Sequence, residues 1–163
     1  MLERHVKRDR RIKLLDDDLG STGYAFNSAL KVASGEYVGI VETDDYIDEY
    51  MFECLYSLAK EYDLDYIKAD FNAFMEIKGE RFFIPVPTFF NEDKRYYNKI
   101  LIPKEYKNIR IADGYMWKGI YKKLFLEENN VQMHETKGAA FQDQWFLYQT
   151  VYRAKRVMYL DRY

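Results

Sequence analysis

The chain has 163 residues, enough for one domain or a large part of one, and 48% of them are hydrophobic, so a real core is within reach. A net charge of −2 excludes an electrostatic nucleic-acid binder, which needs a basic field. Cys54 is the only cysteine, which excludes an intramolecular disulfide and fits a reducing compartment. No apolar leader follows Met1 and no apolar run approaches the length of a membrane span, so the chain reads as cytoplasmic, with membrane contact only peripheral.

After a charged opening, Arg10 to Leu15 reads as a short strand. The run Asp16-Asp17-Asp18 with Gly20 then reads either as a cation site or, more simply, as a solvated turn. Ser21 or Thr22 caps a helix whose apolar residues Ala25, Ala29, Val32 and Ala33 recur at helical spacing, ended by Ser34-Gly35. A strand from Tyr37 to Val41 follows. Asp48 to Tyr62 is amphipathic, with Met51, Leu55, Leu58, Ala59 and Tyr62 on one face and Cys54 among them as a buried thiol. Asp65 to Ala69 is another strand. Arg81 to Pro87 is extended, with prolines that bar it from a central position. Asn91 to Asp113 carries no clear pattern. A helix over Lys122 to Asn129 leads to a short strand over Val131 to Met133. The last helix, Asp143 to Ala154, buries Phe146, Leu147, Thr150, Val151 and Ala154, and Val157 to Leu160 closes the chain as a strand. This alternation implies an α/β domain with a mostly parallel sheet flanked by helices.

The most telling stretch is the end of the strand at Tyr37 to Val41. Three acids, Glu42, Asp44 and Asp45, crowd into four positions where the apolar run stops. Ligands of open α/β sheets bind at the C-terminal ends of strands. Carboxylates gathered there repel one another unless a cation neutralises them, and hard oxygen ligands suit Mn²⁺ or Mg²⁺. The alternative is three surface carboxylates that turn the chain or cap the next helix, a role that suits Asp45 best.

Several segments, in order, resemble family 2 glycosyltransferases, inverting enzymes of the GT-A fold. They are Arg10-Arg11-Ile12-Lys13, Gly23 to Leu30, Gly35 to Asp45, Trp117 to Lys123 and Glu135 to Asp143. The likeness covers nearly the whole chain. Two departures accompany it: Glu42 stands where the first Asp of a D-x-D motif is usual, and Phe26 replaces an Arg of the helix signature. Nothing resembles the nucleotide-binding βαβ unit that opens family members, so the expectation is a single, truncated GT-A domain over 1–163, with an exposed edge that invites self-association into a homo-oligomer.

The resemblance implies a nucleotide-sugar donor and a glycan or lipid-linked acceptor, as in polysaccharide biosynthesis. Asp44 is the implied metal ligand, with Glu42 direct or through water. Asp45 and Asn27 are implied donor contacts, and Asp143 the base, placed where the positive end of the last helix favours a carboxylate. As the plain alternative, Asp143 is a helix-capping residue. Trp117 stacks on an acceptor sugar or belongs to the core; Glu135 and Gln142 contact the acceptor or are ordinary loop residues. His134 is read as a structural hydrogen bonder. A different class of reading is a non-catalytic remnant or accessory module that keeps the fold without a complete donor site.

Overall fold

Tyr66, Ile67, Lys68 and Ala69 form the strand around which the chain is built, and all but Ala69 are buried. In the computed structural model, which describes residues 2–15, 20–89, 94–137 and 140–162, this strand (β2, Tyr66–Ala69) lies between β5 (Gly119–Lys122) and β6 (Val157–Leu160). β1 (Tyr37–Gly39) adds to the far side of β5. β2 and β6 run parallel, whereas β5 is antiparallel to both β1 and β2.

The α/β class is as expected, but the sheet is mixed rather than mostly parallel. The cause is the route from β2 to β5. The chain leaves β2 at Asp70 and makes a hairpin of β3 (Phe71–Ile77) and β4 (Glu80–Val86), turned by Lys78 and Gly79 at positive φ. Among the described residues it then makes only short helical turns at 94–96 and 103–105 and α4 (Ile109–Ala112). Among the described residues no crossover helix carries it back across the sheet. It re-enters at the end it left, where the Ala69 amide donates to the Lys118 carbonyl at 2.9 Å, so β5 must run the opposite way.

Because side chains alternate across a strand, the sheet has two separate cores. Tyr66, Tyr121, Val157 and Tyr159 face α5 (Lys123–Glu128), α6 (Gln142–Arg153) and, at its margin, Phe26 and Leu30 of α2 (Thr22–Val32). Ile67, Ile120, Met158 and Leu160 face α3 (Met51–Glu61) through Leu55 and Ala59. A further helix, α1 (Leu2–Arg8), opens the chain. Among the described residues no helix is long and apolar enough to cross a membrane.

Other sequence expectations shift in detail. Residues 12–15 form no strand and leave Ile12 and Leu14 exposed, since no neighbouring strand among the described residues pairs with them. The Asp16-Asp17-Asp18 run lies outside the described residues. Ser21 does cap α2, its Oγ accepting from the Tyr24 amide at 3.3 Å, but the helix turns extended at Ala33 without help from Gly35. Its buried face is Gly23 and Asn27, with Ala25, Ala29 and Val32 outward. β1 stops at Gly39, two residues short of Val41. Val131 and Met133 are buried in an irregular segment, not a strand. Cys54 is only partly buried, with Arg162 Nη1 at 3.4 Å from its sulfur.

One charged side chain belongs to the tyrosine face. Lys68 lies across Gly119, its ladder partner, where a Cβ would stand 2.2 Å from the Ile67 carbonyl oxygen and 2.6 Å from Lys68 Cγ. Lys68 Nζ meets Asp113 Oδ2 at 2.7 Å, and neither side chain has any exposed surface. The Tyr159 hydroxyl donates to the same carboxylate oxygen at 2.7 Å and lies 3.0 Å from the Tyr66 hydroxyl. Burial pushes the Lys68 ammonium down to about 8, against the pull of Asp113, and pushes Tyr66, Tyr121 and Tyr159 well above the usual phenol range.

Two outcomes are expected. Gly119→Ala should lower the unfolding free energy by about 2 kcal/mol or more, because backbone rather than a flexible side-chain tip blocks the new methyl; an unchanged urea midpoint would contradict this. The second concerns pH. Below pH 8 Lys68 is protonated in both states and its burial cost is carried in full. Between about 8 and 10.5 the unfolded chain alone keeps the proton, so stability rises with pH, until the buried tyrosines, which ionise only on unfolding, reverse the slope. Unfolding free energy should therefore be larger at about pH 9.5 than at about pH 7.5, and a Lys68→Met, Asp113→Asn double variant should flatten the difference.

Candidate active site

Past Gly39 the chain leaves the sheet, and residues 41–50 are all exposed. The Asp45 amide donates to the Glu42 carbonyl at 3.3 Å, closing a turn that gathers Glu42, Asp44 and Asp45. The Glu42 carboxyl is held above the usual carboxylate range, first by partial burial and then by the charges of Asp45, Asp44 and Asp143. Asp143 comes from the first turn of α6, so acids from distant parts of the sequence share one field. Asp45 does not cap α3: the residue before that helix, Tyr50, makes no side-chain cap, and the Tyr50 amide goes to Asp48 Oδ1 at 2.8 Å.

Buried amides set where α6 begins. Gln142, 1% exposed, accepts from the Gly23 amide at 2.5 Å and donates to the Thr136 carbonyl at 2.7 Å and its hydroxyl at 2.8 Å. Gly23 is required for this approach, since a Cβ there would stand 2.0 Å from the His134 carbonyl oxygen. Asn27 completes the lock. Its Nδ2 donates to the Met133 carbonyl at 3.0 Å and Glu135 Oε1 at 2.9 Å, and its Oδ1 accepts from the Met133 amide at 3.0 Å. Both donor hydrogens of Asn27 are thus taken within the chain, which leaves none for a donor substrate. Gln142 likewise makes these bonds within the chain. Glu135 is exposed but tied to Asn27, and the His134 ring lies tilted against Trp145, centroids 4.8 Å apart.

Trp117 is half-buried, edge-on to Phe71 at 4.7 Å and beside Tyr115 at 5.4 Å. It precedes β5 and Phe71 follows β2, which puts both rings at the sheet end where β1 delivers its acids. Tyr46, next to the acid turn, touches Phe74 of the hairpin at 5.6 Å, with the Arg81 guanidinium 5.0 Å from the Tyr46 ring. Sequence reasoning missed Lys68, Asp113, Phe71 and Tyr115. The Tyr-x-Trp alternation before β5 was a usable signal for the rings, whereas nothing local marked the buried ion pair.

Among the described residues, no three His, Cys, Asp or Glu side chains lie close enough to hold a metal by themselves. Exposed, mutually repelling carboxylates still fit a Mn²⁺ or Mg²⁺ ion that takes one or two protein ligands and the rest from phosphate oxygens. Partial burial raises the Glu42 carboxyl first, and the charges of Asp45, Asp44 and Asp143 add to it.

Comparison with known proteins agrees with this geometry. The model of Glycosyl transferase family 2 matches residues 1–125. The chain belongs to this family. Its relatives include the uncharacterized glycosyltransferase EpsJ of Bacillus subtilis, 28% identical over 98% of this chain and 45% of EpsJ. The glycosyltransferase GlyG of Streptococcus pneumoniae is 26% identical over 96% of this chain and 52% of GlyG. The chain thus spans about half the length of these family 2 relatives. Among solved structures, S. aureus TarS 1-349 superposes with a TM-score of 0.70 at 22% identity, covering 99% of this chain and 45% of TarS. A further TarS structure, in complex with UDP-GlcNAc, gives the same TM-score. The likeness establishes the GT-A fold, and it extends over Asp143, which the family match does not reach.

If acids from β1 and α6 share one field, removing one charge must be felt by another. Asp143→Asn should move the Glu42 carboxyl toward the ordinary range, as read by carbon-detected NMR titration of glutamate side chains. A Glu42 titration that ignores residue 143 would place the two groups apart.

Proposed function

We propose that this chain carries the catalytic face of an inverting glycosyl transfer from a nucleotide-diphosphate sugar to a saccharide or lipid-linked acceptor. The observation that carries the reading is the turn that gathers Glu42, Asp44 and Asp45 past the end of β1, with Asp143 of α6 near enough for its charge to bear on Glu42. Family membership and the TarS complex with UDP-GlcNAc support the donor class. Asp44 and Glu42 would hold the Mn²⁺ or Mg²⁺ ion, which when bound acts as a Lewis acid on the departing diphosphate. Asp45 stands next to them on the donor side.

The step is a single displacement. The acceptor oxygen forms a bond to the anomeric carbon as the bond from that carbon to the diphosphate breaks, and the hydroxyl proton passes to Asp143. Proton transfer to a positioned carboxylate accounts for roughly 10²–10⁴-fold in rate. Asn27, Gln142 and Gly23 serve by fixing where Asp143 stands. Trp117 offers a ring face to the acceptor sugar, and Glu135 flanks the same side. Work at the inner face of a membrane, through a lipid-linked acceptor, is part of this proposal.

A second reading is an accessory module without turnover, in keeping with the lack of a preformed three-acid cluster among the described residues. Thermal denaturation with UDP-sugar and Mn²⁺ separates the two. Transfer predicts a rise in Tm that Asp44→Asn abolishes and Asp143→Asn keeps, with Asp143→Asn losing roughly 10²-fold or more in kcat. A folded chain that shows no donor-dependent shift supports the module instead.

A further inference from the structure

Phe71, Tyr115 and Trp117 close on one another at the end of β2, with Phe71 edge-on to Tyr115 at 5.0 Å and to Trp117 at 4.7 Å. Two of these rings sit on 113–118, a segment without regular secondary structure. Its shape is imposed from beneath. Lys68 Nζ holds Asp113 Oδ2 at 2.7 Å and donates to the Tyr115 carbonyl at 3.1 Å. The Tyr121 hydroxyl donates to the Met116 carbonyl at 2.9 Å. Lys118 Nζ donates to Thr88 Oγ1 at 2.6 Å, and Thr88 in turn donates from its amide and hydroxyl to Asp70 Oδ1, both at 2.7 Å.

This is an expensive way to hold a loop. Buried ion pairs seldom stabilise a fold relative to apolar side chains of the same volume, because desolvation offsets the Coulomb gain. Asp113 adds a second penalty: among the described residues its Oδ1 is buried without a hydrogen-bond partner, with Lys118 Nζ 3.8 Å away. What such a pair supplies is a single conformation. We propose that Lys68 and Asp113 are positioning residues that hold Tyr115 and Trp117, together with Phe71, as a preformed stacking platform for a pyranose ring of the acceptor.

The proposal rests on the glycosyl-transfer reading for the identity of the ligand, though not for the positioning itself. Aromatic faces pack against the C–H patches of sugars, and prior ordering lowers the entropy lost on binding. The platform stands over β5 and β2, one to two strand spacings of ~4.8 Å from the end of β1. That separation suits an acceptor ring next to a donor held by the β1 acids. The groups facing Lys68 are Asp113, Lys118, the rings of Tyr66 and Tyr121, and Tyr159 through Asp113. All three tyrosines keep their protons far above neutrality, so Lys68, at about 8, is the group here that titrates just above neutral pH, and burial also lowers Lys118 from the usual ammonium range.

Trp145→Phe leaves Trp117 as the sole tryptophan. In that background, Trp117 emission should be blue and shielded from acrylamide at pH 7, then shift red and lose its shielding as pH passes through about 8. Adding Lys68→Met with Asp113→Asn should give the red, unshielded signal at both ends of the range. In transfer assays the same double change should raise the acceptor KM and leave kcat and the donor KM in place. Identical emission and quenching across pH and in the double variant overturn the positioning role. If that variant does not fold, the pH series of the Trp145→Phe chain decides. Loss of shielding with no change in acceptor KM overturns the sugar platform, and loss of shielding in a chain that never transfers sugar overturns the glycosyl-transfer reading and leaves the positioning intact.

Discussion

Two buried amide side chains, Gln142 and Asn27, fasten the start of α6 and the segment before it against α2, and the candidate site depends on that fastening. Gln142 ties the first residue of α6 to the Gly23 amide and to Thr136; Asn27 ties α2 to Met133 and Glu135. Each bond is modest alone, but a buried amide left unpaired carries a desolvation penalty of about 1–3 kcal/mol, so the set holds one geometry strongly. Asp143 follows directly from it. The price of the geometry is a concentration of negative charge near Glu42, tolerable in isolation because the β1 loop is exposed and water screens it.

A sheet with two unlike faces supports this arrangement. The α3 face is plainly apolar, with Leu55, Ala59, Ile67, Ile120, Met158 and Leu160 in contact. The other face carries three buried tyrosines and the Lys68–Asp113 pair, a polar network that specifies more than it stabilises. The antiparallel entry of β5 joins the two themes. It returns Trp117 to the end of the sheet from which β1 projects its acids, and Gly119 at its first position makes room for Lys68.

Elements with a strong period were legible from sequence. β2, β6, α3, α5 and α6 stand within a few residues of where alternation or helical spacing puts them. α2 was legible as a helix but not as a face. Its alanines mimic an apolar stripe, whereas the buried side belongs to Gly23, which allows close approach, and to Asn27, which is polar and fully bonded. Residues 10–15 have strand composition but no strand beside them in the described chain, and a strand exists only with a partner. Of the hairpin, β4 was legible as the extended run from Arg81 to Pro87 and the turn left a mark in Lys78-Gly79, whereas β3 was not read. The acid turn was readable from composition, Asp143 only through family likeness. Lys68 was hidden because a lysine between Ile67 and Ala69 looks like the wet side of an alternating strand.

The central proposal is that the acids following β1 and Asp143 of α6 line one site, the former for an ion and a diphosphate and the latter for the acceptor hydroxyl beside them. Paramagnetic broadening of backbone amides by Mn²⁺ in the presence of UDP tests it most directly. Simultaneous broadening at Glu42 to Asp45 and at Asp143, lost together on chelation, is the predicted result. Broadening confined to one of those segments, or absent from both in a folded chain, would contradict it.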